Sequence, residues 1–124
     1  MTRMDDEESA GMRVEPRAFT DLSVHVAPRA EGGLDMALFG ELDAATAGKL
    51  DDALREAMTS EGPVVIDMRA CGFVDSKGIA VLIKAAVHIG DQNREVIIRG
   101  AKDRVVRVLE VAGITSMGNL KVEP

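Results

Sequence analysis

Apolar and polar residues alternate in several short segments of the chain, and a period of two predicts β-strands. Leu22, Val24 and Val26 alternate with polar residues, and the segment from Leu34 to Leu38 repeats the pattern after a glycine-containing turn. Residues 64–68 form an almost unbroken apolar run, which is typical of a strand covered on both faces. The strands predicted in this way cover residues 22–26, 34–38, 64–68, 95–99 and 120–122.

Three other segments carry apolar residues with the period of an amphipathic helix. These residues are Leu50, Ala53, Leu54, Ala57 and Met58 in the first segment, Ile79, Leu82, Ile83, Ala86 and Val87 in the second, and Val105, Val108, Leu109 and Ala112 in the third. Asp43 stands where the first helix needs an N-cap, and Gly113 follows the third helix as a C-cap. The second helix lies between two strands, which a βαβ unit makes parallel. The pattern predicts an α/β fold, a small mixed β-sheet of about four or five strands with three or more helices packed on it.

The chain of 124 residues has the length of one domain. Residues 1–20 show neither strand nor helix periodicity and are rich in acidic side chains. We interpret them as a mobile acidic arm, for which a purely solubilising role is the simplest explanation. Residues 21–124 are expected to form the folded domain.

Composition excludes several classes of function. The net charge is −6 and the only aromatic residues are three Phe, which argues against nucleic acid and anionic membranes as partners. No apolar run is long enough for membrane insertion, and the N-terminus lacks the apolar core of a signal peptide. A single cysteine excludes an internal disulfide, so we expect a cytoplasmic protein.

The segment Asp75-Ser76-Lys77-Gly78 places a hydroxyl at the start of the second helix. A phosphate on Ser76 would meet unpaired backbone N–H groups and the positive end of the helix dipole. The alternative is that Ser76 only caps the helix, although Asp75 can serve as the cap and leave the Ser76 hydroxyl available to a kinase.

Acidic residues are expected near this serine. If the second and third strands are parallel neighbours, their carboxyl ends meet at one edge, where α/β folds bind ligands. That edge would carry Glu41, Asp43, Asp75 and Ser76. Asp43 either touches a partner or its Mg-nucleotide, or acts as an N-cap alone.

Three blocks of the sequence together resemble the STAS domain of the anti-sigma factor antagonists. The blocks are the strand, Asp-Ser-x-Gly loop and helix around Ser76, the segment Gly40-Glu41-Leu42-Asp43, and Val108-Leu109-Glu110-Val111-Ala112-Gly113-Ile114. The resemblance spans about residues 22–115 and implies that Ser76 is phosphorylated by a GHKL-like kinase that is itself the anti-sigma factor. It also implies a phosphatase that resets the switch, and a partner-binding surface of Glu41, Asp43, Asp75, Ser76, Lys77 and Gly78.

Lys77 departs from the family pattern, which has a small residue at this position, commonly Ser or Thr. An ammonium group beside the acceptor would partly neutralise a phosphate, select a different kinase or block one. The alternative is a solvated lysine on the first helical turn.

No catalytic set, phosphate loop or metal cluster is visible in the sequence, so we expect neither an enzyme nor a cofactor. Two other functions remain open: a STAS adaptor subunit of a transporter or signalling scaffold that is never phosphorylated, and a nucleotide-binding module that uses the helix starts at residues 43 and 76. Cys71 is expected in the loop before the serine, more readily as a small buried residue than as a redox group. Lys102, Arg104 and Arg107 lie on the outer face of the third helix, as a solvated face first and a partner patch second.

Overall fold

A computed structural model describes residues 21–124, so the predicted acidic arm, residues 1–20, lies outside the described part of the chain. The strands are β1 (Leu22–Pro28), β2 (Leu34–Leu42), β3 (Val64–Val74), β4 (Val96–Arg99) and β5 (Leu120–Glu123). The helices are α1 (Ala47–Ala57), α2 (Ser76–Gly90) and α3 (Asp103–Val111), and a short 3-10 helix that the pattern did not predict follows at Ile114–Ser116. The predicted α/β architecture is thereby confirmed.

The five strands form one mixed sheet in the order β1-β2-β3-β4-β5. β1 pairs antiparallel with β2, and the other neighbouring pairs are parallel, as predicted for the βαβ unit. The carboxyl ends of β2 and β3 therefore lie at the same edge of the sheet, with Leu42 opposite Val74. Because β1 runs the other way, its first residue, Leu22, pairs with Gly40 near that same edge.

One face of the sheet and the three helices enclose an aliphatic core. Met36, Leu38, Ile66 and Ile98 from the strands are fully buried together with helix residues such as Leu50. Residues 64–68 are buried apart from Asp67, as the apolar run predicted. The opposite face becomes open towards the end of the strands, where Phe39 and Phe73 are each about half exposed.

The strands β2 and β3 continue further than the pattern predicted. Cys71 does not lie in a loop: it pairs with Gly40 inside the sheet, and Phe73 pairs with Glu41. Two register shifts in this pairing, which indicate β-bulges, interrupt the strict alternation that reveals a strand in a sequence. Gly40 supports the irregularity, since it has φ +123° and a Cβ there would lie 2.2 Å from the Asp21 carbonyl oxygen.

Two predicted helix features are corrected. α1 begins at Ala47 with Thr46 as its N-cap, so Asp43 is not the cap. In α3, Val105 and Leu109 are buried as predicted, but Val108 and Ala112 are exposed because that flank of the helix is uncovered in the described part of the chain. Gly113 does follow α3 with φ +80°, the left-handed conformation expected after a helix.

Candidate functional site

The ends of β2 and β3 are tied to each other by backbone and side-chain hydrogen bonds. The backbone N–H of Asp75 donates to the Leu42 carbonyl oxygen at 3.0 Å. The backbone N–H of Ala44 donates to Oδ2 of Asp75 at 3.1 Å. These contacts bring the predicted Glu41-to-Asp43 segment and the Asp75-to-Gly78 segment to one surface.

Asp75, and not Ser76, caps α2. Its Oδ1 accepts hydrogen bonds from the backbone N–H groups of Lys77 at 2.9 Å and Gly78 at 3.1 Å. Ser76 is the first residue of the helix and its side chain is exposed. Within residues 21–124 its hydroxyl has no hydrogen-bond partner, so the helix does not need it as a cap.

Asp43 folds the turn between β2 and α1 instead of starting the helix. Its Oδ1 accepts from the backbone N–H groups of Ala45 at 2.9 Å and Thr46 at 3.1 Å. Thr46 completes the turn: its hydroxyl donates to the Glu41 carbonyl oxygen at 2.7 Å and accepts from the Asp43 N–H at 2.9 Å. Sequence reasoning missed this role of Thr46, for which the three-residue spacing from Asp43 is the available signal.

Gly78 is buried under the site, whereas Glu41 is half-buried and Lys77 exposed. A Cβ on Gly78 would lie 2.5 Å from Cγ and 3.0 Å from the carbonyl oxygen of Leu42. The absence of a side chain therefore lets α2 approach the end of β2 closely. This close approach fixes the position of the start of α2, and with it Ser76, relative to the end of β2.

Charges of both signs surround Ser76. Asp21 extends the acidic edge and forms an ion pair with Lys49, whose hydrogen bond lowers the pKa of the Asp21 carboxyl. On the other side of Ser76, a groove between α2 and α3 is bordered by Arg104 and Arg107. The serine thus stands between an acidic edge and a basic one.

The amino-acid sequence of the chain matches a known protein family. Residues 26–121 match the family model described as "Mlab, STAS domain". The chain belongs to the STAS family. The resemblance drawn from the three sequence blocks is confirmed.

This STAS domain is 29% identical, over 102 residues, to a protein named anti-sigma-B factor antagonist from Listeria monocytogenes, covering 82% of the chain and 90% of that relative. Its fold is similar to the phosphorylated form of the Bacillus cell fate determinant SpoIIAA, with a TM-score of 0.63, 14% identity, and coverage of 81% and 90% of the two chains. It is also similar to a sulfate transporter family protein from Wolinella succinogenes, with a TM-score of 0.64, 15% identity, and coverage of 77% and 80%. Antagonists and transporter-family proteins therefore share this fold.

Along residues 21–124 of this STAS domain, no helix combines the length and hydropathy needed to cross a bilayer. The same residues contain no group of three or more side chains suited to hold a metal ion.

Removal of the Asp75 carboxylate is expected to destabilise the STAS domain by about 1–2 kcal/mol, since two helix N–H groups and the Ala44 N–H lose their acceptor. Urea unfolding of Asp75→Ala measures this loss. Ser76→Ala is the control and should stay within about 0.5 kcal/mol of the wild type, because its side chain is exposed. An equal loss in both variants would contradict the assignment of Asp75 as the cap.

Cys71 of the STAS domain is fully buried, as expected for a small buried residue, and its thiol donates to the Phe73 carbonyl oxygen at 3.4 Å. Burial raises the pKa of this thiol, which disfavours the reactive thiolate. We expect a disulfide reagent at pH 8 to label native Cys71 at least about 100-fold more slowly than the urea-unfolded chain. Equal rates would show an accessible thiol and revive a redox role.

Proposed function

We propose that this protein is an anti-sigma factor antagonist, which binds a serine-kinase anti-sigma factor and is released when that kinase phosphorylates Ser76. In the bound state the anti-sigma factor cannot hold its sigma factor. After phosphorylation the anti-sigma factor is free again, and a phosphatase resets the switch.

The exposed hydroxyl of Ser76 carries this proposal. Ser76 is the first residue of α2. Because Asp75 caps the helix, the Ser76 hydroxyl is not needed for capping. The similarity to the Listeria antagonist over most of both chains supports the same role. Thr46, another hydroxyl of the site, is only 2% exposed and is held inside the turn.

The charges around Ser76 explain how a phosphate would act. A phosphate adds a charge of about −2 at pH 7. Asp43 and Asp75 lie at the same strand ends, so the added anion would increase the negative charge of a surface that a partner must desolvate. Glu41, Asp43, Asp75, Ser76 and Lys77 would form the contact surface, with Gly78 supporting it from below.

Lys77 is the exposed cation next to the acceptor. An exposed ion pair contributes only about 0–1 kcal/mol, which is less than the several kcal/mol of burying an unpaired charge. We therefore propose that Lys77 tunes the release without preventing it. Lys77→Ser should make the phosphorylated protein bind the kinase more weakly and change the unphosphorylated protein less.

The experiment incubates the protein with Mg-ATP and a serine-kinase anti-sigma factor from the same genome, followed by intact-mass and fragment mass spectrometry. We expect one phosphate, located on Ser76, and none on Ser76→Ala. Phosphate on another residue would contradict the assignment. Absence of both binding and phosphorylation, with recovery of the protein alongside transporter subunits, would favour the adaptor function. The role proposed here is regulatory and cytoplasmic, without catalysis or a cofactor.

A further inference from the structure

An aromatic surface lies on the side of the sheet that faces away from the helices. It consists of Phe39 on β2 and Phe73 on β3, which are 49% and 48% exposed, together with His25 on β1. The ring of His25 packs edge-on against Phe39, with 5.0 Å between the ring centroids. These two phenylalanines are the only ones among residues 21–124, and both are exposed although phenylalanine is a residue type that folding usually buries.

The register of the sheet places the start of the described chain beside this aromatic surface. The backbone N–H of Glu41 donates to the Asp21 carbonyl oxygen at 3.0 Å, and Glu41 is the neighbour of Phe73 on β3. Asp21, Glu41 and Phe73 therefore form one row across three strands, and Ser23 and Phe39 belong to the next row. With strands about 5 Å apart, the backbone of Asp21 lies about 10 Å from that of Phe73.

The third phenylalanine of the sequence, Phe19, precedes Asp21 by two residues. Two residues span at most about 7 Å, so the Phe19 ring can reach Phe73 without any further length of chain. Alternate residues of a strand share one face, and Phe19 precedes His25 by six residues. Because His25 packs on Phe39, a β1 that continued to residue 19 would present Phe19 on the side of the aromatic surface.

We propose that Phe19 docks on the aromatic surface of its own chain, as a two-residue continuation of β1 that packs against Phe39 and Phe73. Edge-on or offset packing of the rings buries apolar area and adds the attraction between aromatic quadrupoles. Arg17 supplies a cation close to Glu41, which forms no ion pair within residues 21–124. The docking goes beyond the proposed function and does not require phosphorylation of Ser76.

A second copy of this chain fits the aromatic surface less well than Phe19 does. Glu41 lies in the sheet between the two phenylalanines, and Asp75 lies at the same strand ends. A two-fold dimer would bring these carboxylates of both copies together, in a chain whose net charge is already −6. Phe19 is tethered beside the surface, so its docking avoids the entropy loss of association.

The first test is an NMR measurement on the full chain. The sequence has three Phe and neither Tyr nor Trp, so single Phe→Leu variants assign the ring protons. We expect nuclear Overhauser effects between the ring of Phe19 and the ring of Phe39 or Phe73. A Phe19 ring with random-coil chemical shifts and without these contacts would overturn the proposal.

The second test is a thermodynamic cycle in urea unfolding of the full chain. Phe19→Ala is expected to raise the unfolding equilibrium constant about three- to tenfold in the wild type. In a chain that carries Phe39→Thr and Phe73→Thr, which keep strand propensity, the same change should act less than about twofold. Val87→Ala is the control background, because Val87 is also exposed, at 46%, but lies on α2.

In the Val87→Ala background, Phe19→Ala should keep its full effect. An equal effect of Phe19→Ala in all three backgrounds would show that Phe19 does not contact the aromatic surface, and would overturn the proposal. If the double threonine variant does not fold, the ring contacts measured by NMR decide alone.

Sedimentation velocity separates docking of Phe19 from occupation by a second copy. A wild type that stays monomeric while Phe19→Ala self-associates would support the docking, since the variant uncovers the aromatic surface. A wild-type dimer that Phe39→Thr abolishes and Phe19→Ala preserves would assign the surface to a second copy and overturn the proposal.

Discussion

Replacement of Ser76 by aspartate is expected to weaken binding to the serine-kinase anti-sigma factor at least about tenfold and to leave the fold intact. The start of α2 tolerates an anion, because the first turn of a helix stabilises negative charge by about 0.3–1 kcal/mol. The contact with the partner does not tolerate the anion, since the new carboxylate lies beside Asp75 and Asp43 and must be desolvated. Titration calorimetry at physiological salt measures the affinity, and thermal unfolding verifies the fold.

Ser76→Asn is the matched control for that experiment. Asparagine has nearly the shape of aspartate without its charge, so we expect its affinity to stay within about threefold of the wild type. Equal affinity of Ser76→Asp and wild type would show that charge at this position does not drive release. A parallel loss in Ser76→Asn would attribute the effect to size.

A methyl group added at Gly78 is expected to destabilise the protein by about 2–3 kcal/mol, the upper part of the range for an overpacked core. The new Cβ would lie 2.5 Å from Cγ of Leu42 and 3.0 Å from its carbonyl oxygen. The side chain of Leu42 is fully buried and has little space to move, and the carbonyl belongs to the strand end. Urea unfolding of Gly78→Ala measures the loss.

Gly48 provides the matched control, because it is also a helical glycine but, apart from its chain neighbours and the backbone of its own helix, has no atom within 4 Å of its ideal Cβ. There, alanine should stabilise the protein by about 0.5–1 kcal/mol through its higher helix propensity. Opposite signs in the two variants would demonstrate the steric role of Gly78. A stabilised Gly78→Ala variant would show that α2 shifts away from β2 at little cost.

The periodic segments of the sequence were enough to predict the sheet and its helices. Strands with a clear period of two and helices with one buried face appear where the pattern places them, because burial of one face dominates their energetics. The local motif before α2 was also informative. Either Asp75 or Ser76 could cap the helix from the sequence alone, and in the structure Asp75 is the cap.

Features that depend on contacts between distant segments were not predictable from the pattern. The extension of β3 through Cys71 and Phe73 follows from its pairing with β2. Arg94 is 8% exposed and donates to the carbonyl oxygens of Ala57 and Gly62 and to the hydroxyl of Ser60, all more than 30 residues away. Its sequence neighbourhood shows only a polar turn.

The burial of the apolar residues of α3 was predicted wrongly for a related reason. Val108 and Ala112 continue the period of Val105 and Leu109, so the pattern assigns all of them to one buried face. Which part of a wide apolar face is buried depends on how far the neighbouring helix extends over it. The start of α2 leaves Val108 and Ala112 at an open groove.

The antiparallel direction of β1 has a practical consequence for assay design. The backbone N–H of Glu41 donates to the Asp21 carbonyl oxygen, so the described part of the chain begins at the edge that carries Ser76. We expect a fusion partner or surface anchor that is joined directly to Asp21 to crowd the serine and lower apparent affinities. Thr59, exposed in the turn after α1, lies at the opposite edge. A cysteine introduced at Thr59 would accept a fluorophore selectively, because the native thiol is buried, and would report binding without obstructing it.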